Sequence, residues 1–365
     1  MTDKLQFGVI GTSWMNAFHM KTINSHPQAR VQAICGRDAE KARNVAQEHG
    51  VCHVHADFME LIARDDLDAV VIGAPDHLHH EMVLHAAQAG LHIVCEKPLA
   101  QTLDQATEMF QEAESSQRNN MTFFTYRWLP HSQHLKQLLR DGYVGRVLYA
   151  EFQYLYQPPP PEPVFDWHFD PELGTGMLGR VGSHIIDLAH WLLGDIDSVT
   201  AMSNRHFDHL GREATEVQQL DDTFLMAVSY TNGAMGSLNL GHSVTGDGIY
   251  ISIHGDEGTL EAEIVLSQGL ALRGGKAGEP LSVIAGPDDL WGETDVSQDT
   301  WSRCVQHFTT NSVGQRQFID DILSDTRSEP SLRDGARTQA VMEAATRASQ
   351  RGKPEHVPVI PALSL

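Results

Sequence analysis

Residues 5–16 read Leu-Gln-Phe-Gly-Val-Ile-Gly-Thr-Ser-Trp-Met-Asn. A short apolar run, Leu5–Ile10, ends at Gly11 and passes directly into a polar turn. A dinucleotide-binding unit carries G-x-G-x-x-G at this place, a tight turn that delivers pyrophosphate to a helix N-terminus. Gly11 matches the first motif position, while Ser13 and Asn16 stand at the other two. The turn residues Gly11, Thr12, Ser13, Trp14 and Met15 are the expected pyrophosphate contacts.

The segments beyond the turn decide the class. Val31–Cys35, Ala69–Ala74, His92–Cys95 and Met121–Thr125 read as further strands, and Ala39–His49, His77–Ala89 and Leu103–Ser115 carry apolar residues at helical spacing. In the second of these helices Met82, Val83, Ala86 and Ala87 form a core-facing stripe, and Gly90 stops it. Continuous strands alternating with helices predict a parallel sheet covered on both faces. Residues 1–122 are therefore expected to be a doubly wound α/β Rossmann domain.

The texture changes from residue 123. Val147–Tyr156, Phe224–Tyr230, Ala234–Leu240 and Ile249–His254 are strand-like, and Gly255-Asp256-Glu257-Gly258 turns the last of them into Thr259–Ala262. The run Pro158–Pro161, with Pro163 beyond, reads as a stiff loop, and Asp334–Gln350 as an amphipathic helix. Residues 123–365 are expected to form an α+β domain on a large, mostly antiparallel, open sheet.

Composition narrows the partners. The 365 residues hold 26 Lys+Arg against 48 Asp+Glu, a formal net charge of −22. Such a surface repels nucleic acid and anionic membrane, so neither is expected as a partner. Runs such as Ala69–Ile72 fall far short of the ~20 apolar residues of a membrane span, and Met1–Gln6 shows no signal-peptide pattern, so a cytoplasmic location is expected. Cys35, Cys52, Cys95 and Cys304 form no Cys-x-x-Cys pair. His77-x-His79-His80 has no carboxylate or cysteine set beside it, and His77 and His80 read as helix surface, so no metal is expected.

Cys35-Gly36-Arg37-Asp38 closes the second strand, where NAD enzymes place an acidic ribose ligand and NADP enzymes an arginine. Gly36 removes the repelling side chain and Arg37 can clamp a 2′-phosphate. NADP is the expected cofactor, with NAD possible; the competing reading has Asp38 capping the next helix and Arg37 merely solvated.

Cys95-Glu96-Lys97-Pro98, Ala74-Pro75-Asp76-His77-Leu78-His79 and the turn at Gly11 together resemble the glucose-fructose oxidoreductase/inositol dehydrogenase (Gfo/Idh/MocA) family. The second half fits as well. Tyr126-Arg127 resembles the family's Tyr-Arg, Trp167-His168-Phe169-Asp170 its Trp-Arg-Phe-Asp, and Gly174–Asp187 its glycine-rich entry to a buried helix. The resemblance implies hydride transfer between NAD(P) and a sugar, sugar acid or cyclic polyol, and a homodimer or homotetramer made through the second sheet. It also implies that Ala74, Pro75, His79, Glu96, Lys97 and Arg127 lie at the cofactor. Lys97, Tyr126, Trp167, His168, Arg180 and His184 are then the substrate contacts. His184 is the expected general base and Lys97 the group that stabilises a developing alkoxide.

One departure stands out. Many members carry Asp four residues before the histidine, and here that residue is Arg180. A cation there would keep His184 neutral and offer a fork to an anionic substrate such as a uronate or sugar phosphate. Two other readings remain open: a glycosidase- or lyase-like member that keeps NAD(P) bound, and a dinucleotide- or sugar-binding protein without turnover.

Overall fold

Six short strands, β1 (Leu5–Ile10), β2 (Ala29–Cys35), β3 (His53–His55), β4 (Ala69–Ile72), β5 (His92–Cys95) and β6 (Asn120–Thr122), pair in parallel in the order β3-β2-β1-β4-β5-β6. That is the doubly wound order, with its switch point between β1 and β4. β4 is buried at every position, as expected of a parallel strand covered on both faces. The computed structural model describes residues 4–160, 164–211, 219–286 and 288–361.

The chain divides into two compact units, the first comprising residues up to Phe124, Val305–Ala336 and the residues from Ile360 on. The second unit holds Thr125–Cys304 and Arg337–Val359. The expected division at 122/123 misses the two returns, because a linear division gives everything after residue 122 to the second domain. The first return is fastened by side chains. His26 Nε2 meets Asp320 Oδ1 at 3.0 Å, Asn119 donates to the Thr326 carbonyl at 2.8 Å, and Phe308 packs edge-on to Phe18.

The helices around the first sheet are α1 (Trp14–Asn24), α2 (Ala39–His49), α3 (Phe58–Ile62), α4 (Asp76–Gln88) and α5 (Leu103–Ser115). Their ends obey local chemistry. Asp38 caps α2 through the amides of Glu40 and Lys41, and Gly50 closes it in the left-handed conformation. β3 and α3, three and five residues long, carry too short a pattern to be read from the sequence.

In the second unit nine strands form one sheet: β7 (Val147–Tyr156), β8 (Ile196–Asn204), β9 (Thr223–Tyr230), β10 (Met235–His242), β11 (Gly248–Gly255), β12 (Gly258–Val265), β13 (Gly269–Lys276), β14 (Ser282–Val283) and β15 (Glu355–His356). All its pairings are antiparallel except β7 with β10. One face is buried through Ala150, Phe152, Tyr154, Phe224, Met226, Val228, Leu238 and Leu240. The other leaves Tyr149, Met202, Leu225 and Met235 exposed. Pro158–Pro160 runs as irregular loop, while Pro161 and Pro163 lie outside the described residues. The remaining helices are α6 (Pro130–Arg140), α7 (Ser183–Leu193), α8 (Thr300–Thr310), α9 (Gln315–Leu323) and α10 (Leu332–Arg351).

Candidate cofactor and substrate sites

The cofactor side is built from backbone. β1 is followed by Gly11, whose φ of 120° suits glycine, and a Cβ there would lie 2.3 Å from the Gly73 carbonyl. The turn leads into α1, where Ser13 caps the Asn16 amide with its hydroxyl. The buried Asn16 side-chain nitrogen bonds the Gly73 carbonyl at 2.9 Å and Ser13 Oγ at 3.0 Å. Asn16 therefore ties the β1 and β4 turns together where the family pattern places a glycine. Its Oδ1 is buried with no hydrogen-bond partner among the described residues. Thr12, Ser13, Trp14 and Met15 stand at the amino end of an eleven-residue helix, at the switch point of the sheet. An open helix N-terminus there fits a dinucleotide pyrophosphate. Arg37 is exposed and makes no hydrogen bond or ion pair with another described residue, whereas Asp38 is committed to its cap.

Two buried histidines fix the loops after β4 and β5. His79 lies with Nδ1 3.0 Å from the Pro98 carbonyl and Nε2 2.8 Å from the Ala74 carbonyl. Burial opposes charge on this ring, but Cys95, Asp76 and the Ala74 carbonyl outweigh it and push the imidazole up to about 10. Both nitrogens are thus spent inside the protein. The expectation of His79 as a cofactor contact changes to one of a clamp that positions Ala74, Pro75 and the Lys97-Pro98 turn. His19 on α1, which no motif singles out, donates from Nε2 to Glu96 Oε1 at 2.9 Å, and its Nδ1 meets the Gln315 side-chain amide. Burial would raise the Glu96 carboxyl; the His19 hydrogen bond and the Lys97 charge hold it below its usual range. Glu96 Oε2 also accepts the Lys97 amide at 3.2 Å, so the half-buried Lys97 issues from a braced turn.

The second unit carries the other candidate group. A π-helical turn, Leu178–Gly182, precedes α7, and such insertions recur at functional sites. His184, in the first turn of α7, is buried and packs edge-on to Tyr126 at 4.7 Å. The Tyr126 hydroxyl bonds that of Tyr154 at 2.9 Å, and burial pushes Tyr126 up to about 12. Tyr156, two residues along β7, continues the row and lies 4.9 Å beneath the Arg180 guanidinium.

Arg180 is held on both prongs. Nη1 meets Asp166 Oδ2 at 2.6 Å, and Nη2 donates to the Tyr156 hydroxyl at 2.9 Å. The same Asp166 accepts from His168 Nδ1 at 2.6 Å, and the His168 ring stacks on Trp167 at 3.8 Å. Burial works against the Asp166 charge, yet His168 and Arg180 bring its carboxyl down to about 2. The expected free fork for an anion is corrected: its charge is already matched by Asp166. Arg127 also differs from expectation. Its Nε and Nη2 bond the buried Asp187 carboxylate at 2.8 and 2.5 Å, a bidentate pair inside the second unit and not an open cofactor contact. Tyr154, Tyr156 and Asp166 belong to no motif; strand alternation puts Phe152, Tyr154 and Tyr156 on one face, and nothing local marks Asp166.

Both units match known profiles. Residues 5–124 match the oxidoreductase family NAD-binding Rossmann fold, and residues 136–359 the C-terminal alpha/beta domain of the same GFO_IDH_MocA family. Levoglucosan dehydrogenase of Pseudarthrobacter phenanthrenivorans is 26% identical over an alignment of 399 positions, covering 99% of this chain and 100% of the relative. D-xylose 1-dehydrogenase (NADP(+)) 2 of Haloferax volcanii is 30% identical over 197 residues, 54% of this chain and 60% of that protein. The solved complex of levoglucosan dehydrogenase with NADH and levoglucosan has the same fold, with a TM-score of 0.85 at 24% identity over 98% of this chain and 100% of that one. No helix among the described residues is long and apolar enough to cross a membrane.

Proposed function

Because the chain belongs to the Gfo/Idh/MocA oxidoreductase family and is an NAD(P)-dependent oxidoreductase, we propose that it oxidises or reduces a secondary carbinol of a neutral sugar, anhydrosugar or cyclic polyol. The observation that carries the neutral-substrate reading is the Asp166 clamp on Arg180, which leaves the fork no uncompensated charge for a carboxylate or phosphate. The stacked Trp167–His168 pair and the tyrosine row supply flat faces and hydroxyls suited to a polyhydroxylated ring. The activities named for the relatives, on levoglucosan and D-xylose, agree with that class.

Gly11, Thr12, Ser13, Trp14 and Met15 hold the pyrophosphate, and Arg37 takes a 2′-phosphate, which favours NADP over NAD. When bound, the nicotinamide takes up or gives back the hydride. His184 accepts the hydroxyl proton in the oxidative direction, and Lys97 donates a hydrogen bond to the carbinol oxygen as negative charge grows on it. Glu96 and His79 act through Lys97 by fixing its turn. The exposed apolar face with Tyr149, Met202, Leu225 and Met235 is our proposed surface for a homo-oligomer.

The test is a panel of neutral hexoses, pentoses, anhydrosugars and inositols, with matched uronates, read at the nicotinamide absorbance band with each cofactor. Turnover of a neutral member with NADP supports the reading. Turnover confined to the uronates overturns it.

A further inference from the structure

His209, Asp222 and His242 come from three separate places: the stretch after β8, the residue before β9 and the last residue of β10. Their nitrogen and carboxylate ligand atoms nevertheless all lie within 4.8 Å of one another. His209 Nε2 is 3.0 Å from Asp222 Oδ2, and His242 Nε2 is 3.8 Å from the same oxygen. We propose that these three residues bind a divalent transition-metal ion of the zinc class.

An ordinary buried ion pair accounts for His209 but leaves His242 unexplained. The His242 side chain is 9% exposed, and neither ring nitrogen makes a well-formed hydrogen bond among the described residues, its polar neighbours being Asp222 and the backbone at Tyr156 and Gln157. Buried polar atoms are rarely left so. A metal would give one of the two nitrogens, Nε2 beside Asp222, the partner it lacks. Two imidazoles and one carboxylate select zinc and its transition-metal neighbours over magnesium or calcium, which take oxygen sets.

The spacing fits. Ligand atoms of a tetrahedral site with bonds of about 2.1 Å stand about 3.4 Å apart, and 3.0 and 3.8 Å bracket that edge. The third edge, between the two imidazoles, lies within 4.8 Å, and the His242 ring has to swing inward to close the set on an ion. His209 now donates its Nε2 proton to Asp222; as a ligand it carries that proton on Nδ1 and presents the Nε2 lone pair.

The surroundings hold the ligands as metal sites require. Asp222 is oriented by the amides of His206 and Phe207 at 3.0–3.1 Å and by the Thr223 hydroxyl at 3.1 Å. The His209 ring lies flat on Phe169, with centroids 3.5 Å apart and planes at 7°, and Gln219 Oε1 accepts its backbone amide at 3.0 Å. Beside the cluster opens a cleft of about 470 Å³, to which His206, Phe207, Thr223 and His242 contribute. With three protein ligands, the fourth position is left for water or for the exposed His206 at the cleft wall.

The His209 carbonyl also accepts the Asp166 amide at 2.8 Å, so metal would stiffen the segment from Asp166 to Phe169.

The experiment strips the purified full chain with a chelator and then titrates it with Zn2+ alone, and in parallel with Co2+. Wild type should hold one zinc per chain through dialysis, melt at higher temperature when loaded, and give the visible bands of low-coordinate cobalt. His242→Gln removes a ligand that makes no well-formed hydrogen bond in the apo chain, so it should fold, with the apo melting temperature as control, while losing the cobalt bands and at least 100-fold in zinc affinity. Asp222→Asn should do the same, with the apo melting temperature as the control for its structural bonds. Equal zinc retention and cobalt spectra in wild type and His242→Gln would assign the binding to the chain's other histidines and overturn the proposal, as would wild type that retains none.

Discussion

The two candidate groups solve opposite problems. Around Lys97 the charged and polar side chains are buried and spent on one another: His79 bridges two carbonyls, and Glu96 is locked by His19 and the Lys97 amide. Around Arg180 the side chains of Asp166, His168 and Arg180 each keep 26–28% exposure while still bonded together. The first arrangement fixes a backbone turn at the end of a parallel strand, where a cofactor common to many enzymes binds. The second presents side chains to whatever distinguishes one substrate from another. Rigidity belongs to the shared chemistry and adjustable charge to the particular one.

The largest effect should come from a buried pair in the second unit that shares the rigidity of the first group. Arg127 and Asp187 are both buried and bonded bidentately. Asp187→Asn removes the charge that matches a buried guanidinium, and breaking such a buried pair costs about 3–5 kcal/mol. Denaturant unfolding should show that loss in the second unit. If stability is unchanged, Arg127 has another acceptor and was free to serve the cofactor after all.

Next comes Lys97→Met. Removing a donor to a developing oxyanion typically lowers turnover ~10²–10³-fold, while the turn itself is held by His79, His19 and Glu96. Cofactor affinity, tracked by nicotinamide fluorescence, should therefore persist while turnover collapses. A mutant that loses both would show that Lys97 belongs to the scaffold and blur the contrast between the two groups.

The contrast also explains what is legible in the sequence. β1, β5, α2 and α5 fall where apolar periodicity puts them, and their ends are set by chain neighbours such as the Asp38 cap of α2 and, in the structure, the Thr102 cap of α5. The glycine turn and the Glu96-Lys97-Pro98 turn are local in the same sense. Asp166 with Arg180, His19 with Glu96, and Arg127 with Asp187 lie 14, 77 and 60 residues apart, and no periodicity announces such meetings. Histidines 209 and 242 escape notice for that reason as well. The sequence draws attention instead to His77-x-His79-His80, a cluster in which His79 is a clamp and His80 pairs with Glu108 at 2.8 Å.

Arg37→Ala probes the cofactor side where it is least buttressed. A bidentate arginine–phosphate contact is a charge-assisted one, worth about 1.5–3 kcal/mol, so NADP affinity should fall by one to two orders of magnitude and NAD affinity should hold. Wild type that prefers NAD would show that the exposed Arg37 is only solvated, and that the turn serves the helix cap at Asp38 alone.

The smallest effect tests the adjustable side most directly. If Asp166 is what denies Arg180 an anionic substrate, then Asp166→Asn frees one prong without removing the cation, and the Tyr156 hydroxyl still holds the other. The ratio of kcat/KM for a uronate over its parent hexose should rise about tenfold, the scale of one modest charge contact of ~1.4 kcal/mol. Arg180→Gln should move the ratio the other way, because Asp166 then faces the substrate unopposed. Acid tests the same pair. The folded carboxyl titrates at about 2, below its ordinary 3.8, so its stabilising contribution is full above about pH 4 and is lost as pH falls through 2. The wild-type ratio should accordingly stay flat from neutrality down to about pH 4. A ratio that is the same in wild type and both variants would remove Arg180 and Asp166 from substrate selection and leave the tyrosine row and Trp167 to account for it.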